Sequence, residues 1–190
     1  MGSFFGSTRN TRVLKGGSID GLRYIRSDCP EKLCEEEIHW LIDNNILTVV
    51  DLRQEHEAAA CPCPLAQRPE FTYLSIPVTT GNIVPLAQLK IVPEYLKMLD
   101  GTMARIIETI ETASSGVLYF CAVGKDRTGV VSALLLLRAG ASRQVIVDDY
   151  TASYENLKDL IDEWCCSDPD ADVLIPKAIY MEEFLDKVKF

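Results

Sequence analysis

The pattern change between Gly116 and Leu137 constrains this chain more than any other feature. Gly116-Val117-Leu118-Tyr119-Phe120-Cys121 is an apolar run of strand length, and Val130 to Leu137 is an apolar run that continues as a helix. Between them lies the polar loop Ala122-Val123-Gly124-Lys125-Asp126-Arg127-Thr128-Gly129. A strand feeding a short glycine-containing loop and then a helix gathers backbone N–H groups around one point, at the positive end of the helix. That arrangement is a cradle for an anion. Cys121 and Arg127 stand at its two ends, with five residues between them.

The residue types fit the cradle. A thiolate is a strong nucleophile, but a free cysteine has a pKa near ~8.5 and is mostly protonated at neutral pH. Backbone N–H groups and a helix N-terminus both favour its charged form. Arg127 adds a fixed charge and a planar fork that grips two phosphate oxygens at once. Gly124 lets the backbone turn and approach the anion without a Cβ, and Gly129 allows close helix packing. The candidate phosphate-binding positions are Ala122, Val123, Gly124, Lys125, Asp126, Arg127 and Thr128. The candidate catalytic residues are Cys121 as nucleophile, Arg127 as phosphate clamp and Asp126 as proton donor. Thr128 is expected to donate its hydroxyl to the thiolate, and Lys125 to supply positive charge toward a substrate phosphate or to be solvated. The alternative for Cys121 is a buried structural thiol; for Arg127 it is a surface salt bridge. Asp126 has an alternative of its own, bonding backbone amides and stiffening the loop.

At 190 residues the chain suits one domain with a substantial core. The expected organisation is a weakly ordered Gly/Ser-rich stretch over 1–10 and a single domain over 11–190. The net charge of −9 argues against nucleic acid or an anionic membrane as main partner, though not against a local basic pocket. No apolar run has membrane-spanning length. Seven cysteines, an odd number, without a signal-peptide pattern in the first ten residues, point to reduced thiols and a cytoplasmic location. Cys61-Pro-Cys63 and Cys165-Cys166 lack the usual zinc-ligand spacing, so no metal or organic cofactor is expected.

Short strands are expected over Thr11 to Lys15 and Gly21 to Ile25, then a helix from Glu35 to Asn45 carrying Ile38, Leu41 and Ile42 on one face, with Trp40 extending it. Ile46 to Val50 is β-branched and unbroken, as in a strand buried on both faces of a parallel sheet. Asp51-Leu52-Arg53 follows at its carboxyl end, where open α/β sheets place their sites; Asp51 and Arg53 are expected to form a structural ion pair. Glu55 to Ala60 is a short helix and Phe71 to Ile76 a strand. A long loop from Pro77 to Pro85 precedes helices over Leu86 to Leu99 and Met103 to Thr112. After the anion loop, helices are expected over Thr128 to Ala139, from Ser142 to about Tyr150, over Ser153 to Cys165, and from Pro176 to Phe190. Arg26 and Asp28 are expected at the site rim or surface, Trp164 in the core, and the acidic run from Asp159 to Asp172 on a solvated face. Strands interleaved with helices and then helices alone predict an α/β fold, a mostly parallel central sheet with a helical C-terminal region.

The order cysteine, five residues, arginine, in the string Gly124-Lys125-Asp126-Arg127-Thr128-Gly129, resembles the C-x5-R signature of the protein tyrosine phosphatase superfamily. Gly21 to Ser27, Thr48 to Arg53 with Glu57, and Val145 to Tyr150 extend the resemblance to the bacterial tyrosine phosphatases with an HCxxGKDRTG loop, over most of Arg12 to Leu160. The resemblance implies a phosphatase domain whose cysteine is the nucleophile and whose arginine binds the phosphoryl group. It implies a phosphorylated protein, with phosphotyrosine, or a phosphoinositide as substrate. Lysine and aspartate before the arginine go with broad specificity in that family.

Two positions depart from the family pattern. Phe120 stands where histidine usually shapes the loop and tunes the thiol, which predicts a less acidic Cys121 and a slower enzyme. The stretch Pro77-Val78-Thr79-Thr80-Gly81-Asn82, where many relatives carry a general acid, contains no acid, which leaves Asp126 first, with Asp51 and Asp28 behind it. The rivals to a phosphatase are a non-catalytic phosphate-binding module, which those departures favour, and a rhodanese-type sulfurtransferase, which has no need of the arginine.

Overall fold

The computed structural model describes residues 3–81 and 90–188. Five strands form one sheet: β1 (Arg12–Val13), β2 (Tyr24–Ser27), β3 (Ile46–Asp51), β4 (Thr72–Ser75) and β5 (Gly116–Phe120), in the order β1-β2-β5-β3-β4. Only β1 runs antiparallel, at one edge; the other four are mutually parallel. The α/β class and mostly parallel sheet therefore match the sequence pattern. β5 lies in the middle, flanked by β2 and β3, and Val117 to Phe120 are wholly buried. Each such apolar side chain contributes on the order of 1.5–3 kcal/mol.

Alternation along β5 divides the core. Val117 and Tyr119 join Cys121 in the larger cluster, beneath α3 (Ile91–Lys97), α4 (Gly101–Thr112), α5 (Arg127–Arg138), α6 (Arg143–Ser167) and α7 (Ala178–Lys187). Leu118 and Phe120 face the smaller cluster, with Ile38 and Leu41 of α1 (Glu35–Asp43). The short helix α2 (Glu55–Ala60) follows β3 as expected. Asp100 caps α4 by accepting the Met103 amide at 2.9 Å, the favoured solution for an exposed first-turn N–H.

Several expectations change. The two helices expected on either side of Thr151-Ala152 are one 25-residue helix, α6. Thr151, a weak helix former, returns its hydroxyl to the Val147 carbonyl at 2.9 Å. Ser153, expected to start a helix, is buried and accepts from Arg12 Nη2 at 3.1 Å. Those tertiary contacts outweigh local propensity. The chain before residue 11, expected to be weakly ordered, is packed from Ser3 onward: Phe5 and Asn10 are buried, and Phe5 and Phe4 stack edge-on against Trp40. Trp40 is half-buried. Pro176 precedes α7, which begins at Ala178. The loop expected through Pro85, the helix expected from Leu86 and the helix end expected at Phe190 lie partly outside the described residues.

Candidate active site

The loop between β5 and α5 is built as a backbone cradle. Gly124 has φ 70°, the left-handed conformation that glycine tolerates. A Cβ there would lie 2.6 Å from the Asp28 amide nitrogen and the Ser27 carbonyl, so no larger residue fits. The Gly124 N–H points at the Cys121 sulfur, 3.2 Å away. Cys121 itself is buried. Gly129 in the first turn of α5 lets Tyr150 approach, with ring carbons 3.3–3.6 Å from where a Cβ would sit.

The outward-facing carbonyls of the loop are held from β2 and the N-terminal segment. Arg26 Nη2 donates to the Gly124 carbonyl at 2.6 Å, and Asn10 Nδ2 donates to the Val123 and Gly124 carbonyls at 3.2 and 3.1 Å. The Cys29 N–H donates to the Ala122 carbonyl at 3.1 Å. With these carbonyls engaged behind the loop, its N–H groups are left to face the anion. Arg26 is fully buried, not at a rim: β2 is an interior strand, and the side chain also ion-pairs with Asp149 of α6. Asp149 further accepts Arg12 Nε at 3.0 Å. Burial opposes its charge, yet Arg26 and Arg12 hold the carboxyl below the usual range. Asp28, also buried, accepts the Arg9 and Asn10 amides at 2.9 Å each and so ties the N-terminal segment down rather than facing substrate.

Arg127 opens α5, and its two terminal nitrogens donate to both oxygens of Glu57 at 2.6 and 2.7 Å. Such a fork fixes the guanidinium plane before any substrate arrives. Burial works against the Arg127 charge, but Glu57 and the neighbouring Cys121 and Asp126 raise its pKa overall. The Arg127 hydrogen bonds in turn lower Glu57. Glu57 is held by its helix: its Oε2 accepts the Gln54 N–H at 2.9 Å, completing the capping of α2.

Asp126 Oδ1 accepts from Tyr95 Oη at 2.6 Å and from the buried Lys125 ammonium at 2.8 Å. Tyr95 Oη also contacts Tyr150 Oη at 2.8 Å. Burial first, then the charge of Asp126, pushes the Tyr95 phenol up, so it stays protonated and donates. Lys125 is thus buried and paired with Asp126 rather than solvated.

Cys121, Ala122, Val123, Lys125, Asp126 and Arg127 line one cavity of about 490 Å³, with His56, Glu57 and Trp164 on its walls. Gly124 and Thr128 do not line it. Thr128 Oγ1 is buried without a hydrogen-bonding partner among the described residues, so the expected bond to the thiol is absent from this state. Trp164, expected in the core, is half-buried on the cavity wall, because the continuous α6 carries it past the sheet to the loop side. Asp51 and Arg53 form the expected buried ion pair, 2.7 Å, with Tyr73 Oη donating to Asp51 at 2.6 Å. Arg53 also lies over the Phe120 ring, 5.1 Å from its centroid. Phe120 thus faces the smaller core cluster and a cation, turned away from the larger cluster that holds the thiol. Among the described residues no cluster of metal-binding side chains forms.

Sequence reasoning gave no catalytic part to Glu57, Asn10, Arg26, Tyr95 or Trp164. Only Glu57 carried a usable signal, four residues beyond the Arg53 that ends the β3 motif.

The chain is similar to known phosphatases. Over 163 residues the chain is 29% identical to a tyrosine-protein phosphatase of Nostoc commune, covering 80% of this chain and 55% of that protein. Over 54 residues it is 44% identical to the triple specificity protein phosphatase PtpB of Mycobacterium tuberculosis, covering 28% of this chain and 20% of PtpB. The chain thus spans about half the length, or less, of these curated relatives. A variant of TpbA from P. aeruginosa, solved in complex with phosphotyrosine, superposes with a TM-score of 0.46 at 16% identity, covering 96% of this chain and 98% of that one. The model of the tyrosine phosphatase family matches residues 7–189, almost the whole chain, and the chain belongs to that family.

Proposed function

We propose that the protein is a cysteine-dependent phosphomonoester hydrolase acting on phosphotyrosine, and that it works through a cysteinyl-phosphate intermediate. One observation carries this: the loop sets Cys121 and a Glu57-locked Arg127 around a single cavity, with the Gly124 N–H already turned to the sulfur. In the first step the Cys121 sulfur attacks phosphorus, an S–P bond forms and the bond to the leaving oxygen breaks. Arg127 and the loop amides hold the equatorial oxygens as charge develops on them. The leaving oxygen takes a proton from Asp126, which must enter this step as the neutral acid, its Oδ1 held on the cavity wall by Tyr95 and Lys125. In the second step Asp126, now a carboxylate, takes a proton from water as the water oxygen attacks phosphorus; the S–P bond breaks, and phosphate and the thiolate are released. An aryl substrate is favoured by Trp164 and His56 on the same wall. The proposal keeps a single phosphatase domain over 11–190, with residues 3–10 bracing its loop, and a cytoplasmic location, consistent with seven free cysteines. No helix among the described residues is long and apolar enough to cross a membrane.

The test is hydrolysis of p-nitrophenyl phosphate in the presence of a chelator, followed by a panel of phosphotyrosine and phosphoserine peptides and phosphoinositides. Wild type is expected to turn over the aryl phosphate and phosphotyrosine peptide, and Cys121→Ser to lose all activity. Equal inactivity of the two proteins between pH 5 and 8, or equal activity, would overturn the proposal. Turnover of phosphoinositides alone would replace its substrate.

A further inference from the structure

A second sulfur centre lies outside the hydrolytic chemistry. Cys29 Sγ and Cys61 Sγ are 3.5 Å apart, in van der Waals contact, although 32 positions separate them in the chain. Each has a polar partner of its own. Arg53 Nη1 donates to Cys29 Sγ at 3.0 Å and to the Cys61 carbonyl at 2.7 Å, and Cys61 Sγ donates to Glu31 Oε2 at 2.7 Å. Both cysteines line a cavity of about 280 Å³ beside the loop, together with Glu57 and Ala122, so a small oxidant has a way in.

We propose that Cys29 and Cys61 form a peroxide-responsive dithiol, a modification site that oxidises reversibly to a disulfide while Cys121 stays outside the bond. The partners assign an order. Arg53, whose Nη1 contacts Cys29 Sγ, opposes the burial that pushes this thiol up and so favours Cys29 as the attacking sulfur, and Cys61, hydrogen-bonded to a carboxylate, is the resolving thiol. The Cys29 thiolate attacks a peroxide oxygen: an S–O bond forms, the O–O bond breaks, and hydroxide leaves and is protonated to water. The Cys61 sulfur then attacks the sulfenic sulfur, passing its proton through Glu31 to the leaving hydroxide. The S–S bond forms, the S–O bond breaks, and a second water is released. Two thiols are oxidised by two electrons and one hydrogen peroxide is reduced. Burial raises both thiols above their ordinary value, against the pull of Arg53 on both. The thiolate is therefore a minor species, and the pair stays reduced until peroxide is plentiful.

The location ties the bond to the loop. Cys29 is the residue whose N–H holds the Ala122 carbonyl, and Cys61 caps α2, the helix that carries Glu57 to Arg127. Oxidation joins the two supports of the cradle.

The experiment needs no enzymatic activity and does not depend on the hydrolase proposal. Full-length Cys121→Ser protein is treated with hydrogen peroxide, its remaining thiols are alkylated, and it is digested without reductant for mass analysis. The expected product links the peptides carrying Cys29 and Cys61 with the loss of two hydrogens, and is reversed by dithiothreitol. It is abolished in Cys61→Ser and in Cys29→Ser and retained in Cys63→Ser. The oxidised protein is also expected to unfold several degrees higher than the reduced protein, since the bridge restrains the unfolded chain. A link that survives Cys61→Ser, or peroxide treatment that yields only unlinked oxidised cysteines, overturns the proposal.

Discussion

Arg26 and Arg127 approach the same loop from opposite sides, and each has a carboxylate partner. Arg26 is fully buried, bonded to the Gly124 carbonyl and to Asp149, and Asp149 is shared with Arg12. Arg127 is paired with Glu57 alone, with 18% of its side chain exposed, on the wall of the cavity. A guanidinium has five N–H donors, so the Glu57 fork leaves Arg127 donors free for a phosphate. Arg26 is committed to the protein. In the proposed function one arginine shapes the cradle and the other binds the phosphate, and their substitutions should separate stability from catalysis.

The largest contrast is expected at Arg127. Arg127→Ala should lower kcat/KM for an aryl phosphate by about 10³-fold, or roughly 4 kcal/mol of transition-state stabilisation. Its unfolding midpoint should fall less than that of an Asp149 variant, because the Arg127–Glu57 pair keeps 18% and 24% of its side chains in solvent whereas Asp149 is paired with the fully buried Arg26. Steady-state kinetics and thermal unfolding on the same sample check this, and a large stability loss would erase the distinction between the two arginines.

Next comes Asp149→Asn, which leaves Arg12 and Arg26 without their shared carboxylate and should cost about 3 kcal/mol in denaturant unfolding. The same group makes the contrast pH-dependent. Its folded pKa lies below its unfolded value, so its contribution is present above about pH 4 and lost as pH falls through the folded value. Thermal unfolding from pH 6 to pH 3 should show that acid limb in wild type and a flatter one in Asp149→Asn.

Glu57→Gln should keep Arg127 in place but loosen its plane, lowering kcat/KM by about tenfold with KM affected as much as kcat. A loss confined to stability would make Glu57 only a helix cap. Asp126→Asn should slow substrates with poor leaving groups far more than p-nitrophenyl phosphate; equal losses would remove it as the proton donor. The smallest effect is expected at Tyr95→Phe, a few-fold loss that follows the leaving-group dependence of Asp126→Asn, since this tyrosine acts through the carboxylate it positions.

The strands and the loop were legible because their signals are local. An unbroken β-branched run such as Ile46 to Val50 describes a doubly buried strand wherever it occurs, and the interval from Cys121 to Gly129 carries its chemistry within nine consecutive residues. Asp51 and Arg53 could be paired from sequence because they are two positions apart. The join at Thr151 to Ser153 was misread for the opposite reason: residues that end helices by propensity are held there by Arg12 and Asn10, more than 140 positions away.

The sequence by itself thus determined an α/β chain whose cysteine and arginine close an anion cradle, because backbone turn, helix dipole and thiolate chemistry act over a few bonds. Only the tertiary structure decided what holds that cradle open. Arg26 belongs behind the loop because β2 lies next to β5, Glu57 belongs on Arg127 because α2 follows β3, and Cys29 meets Cys61 because both elements end at the same edge of the site. Those partners are set by strand order, and strand order is a property of packing that no local run of residues displays.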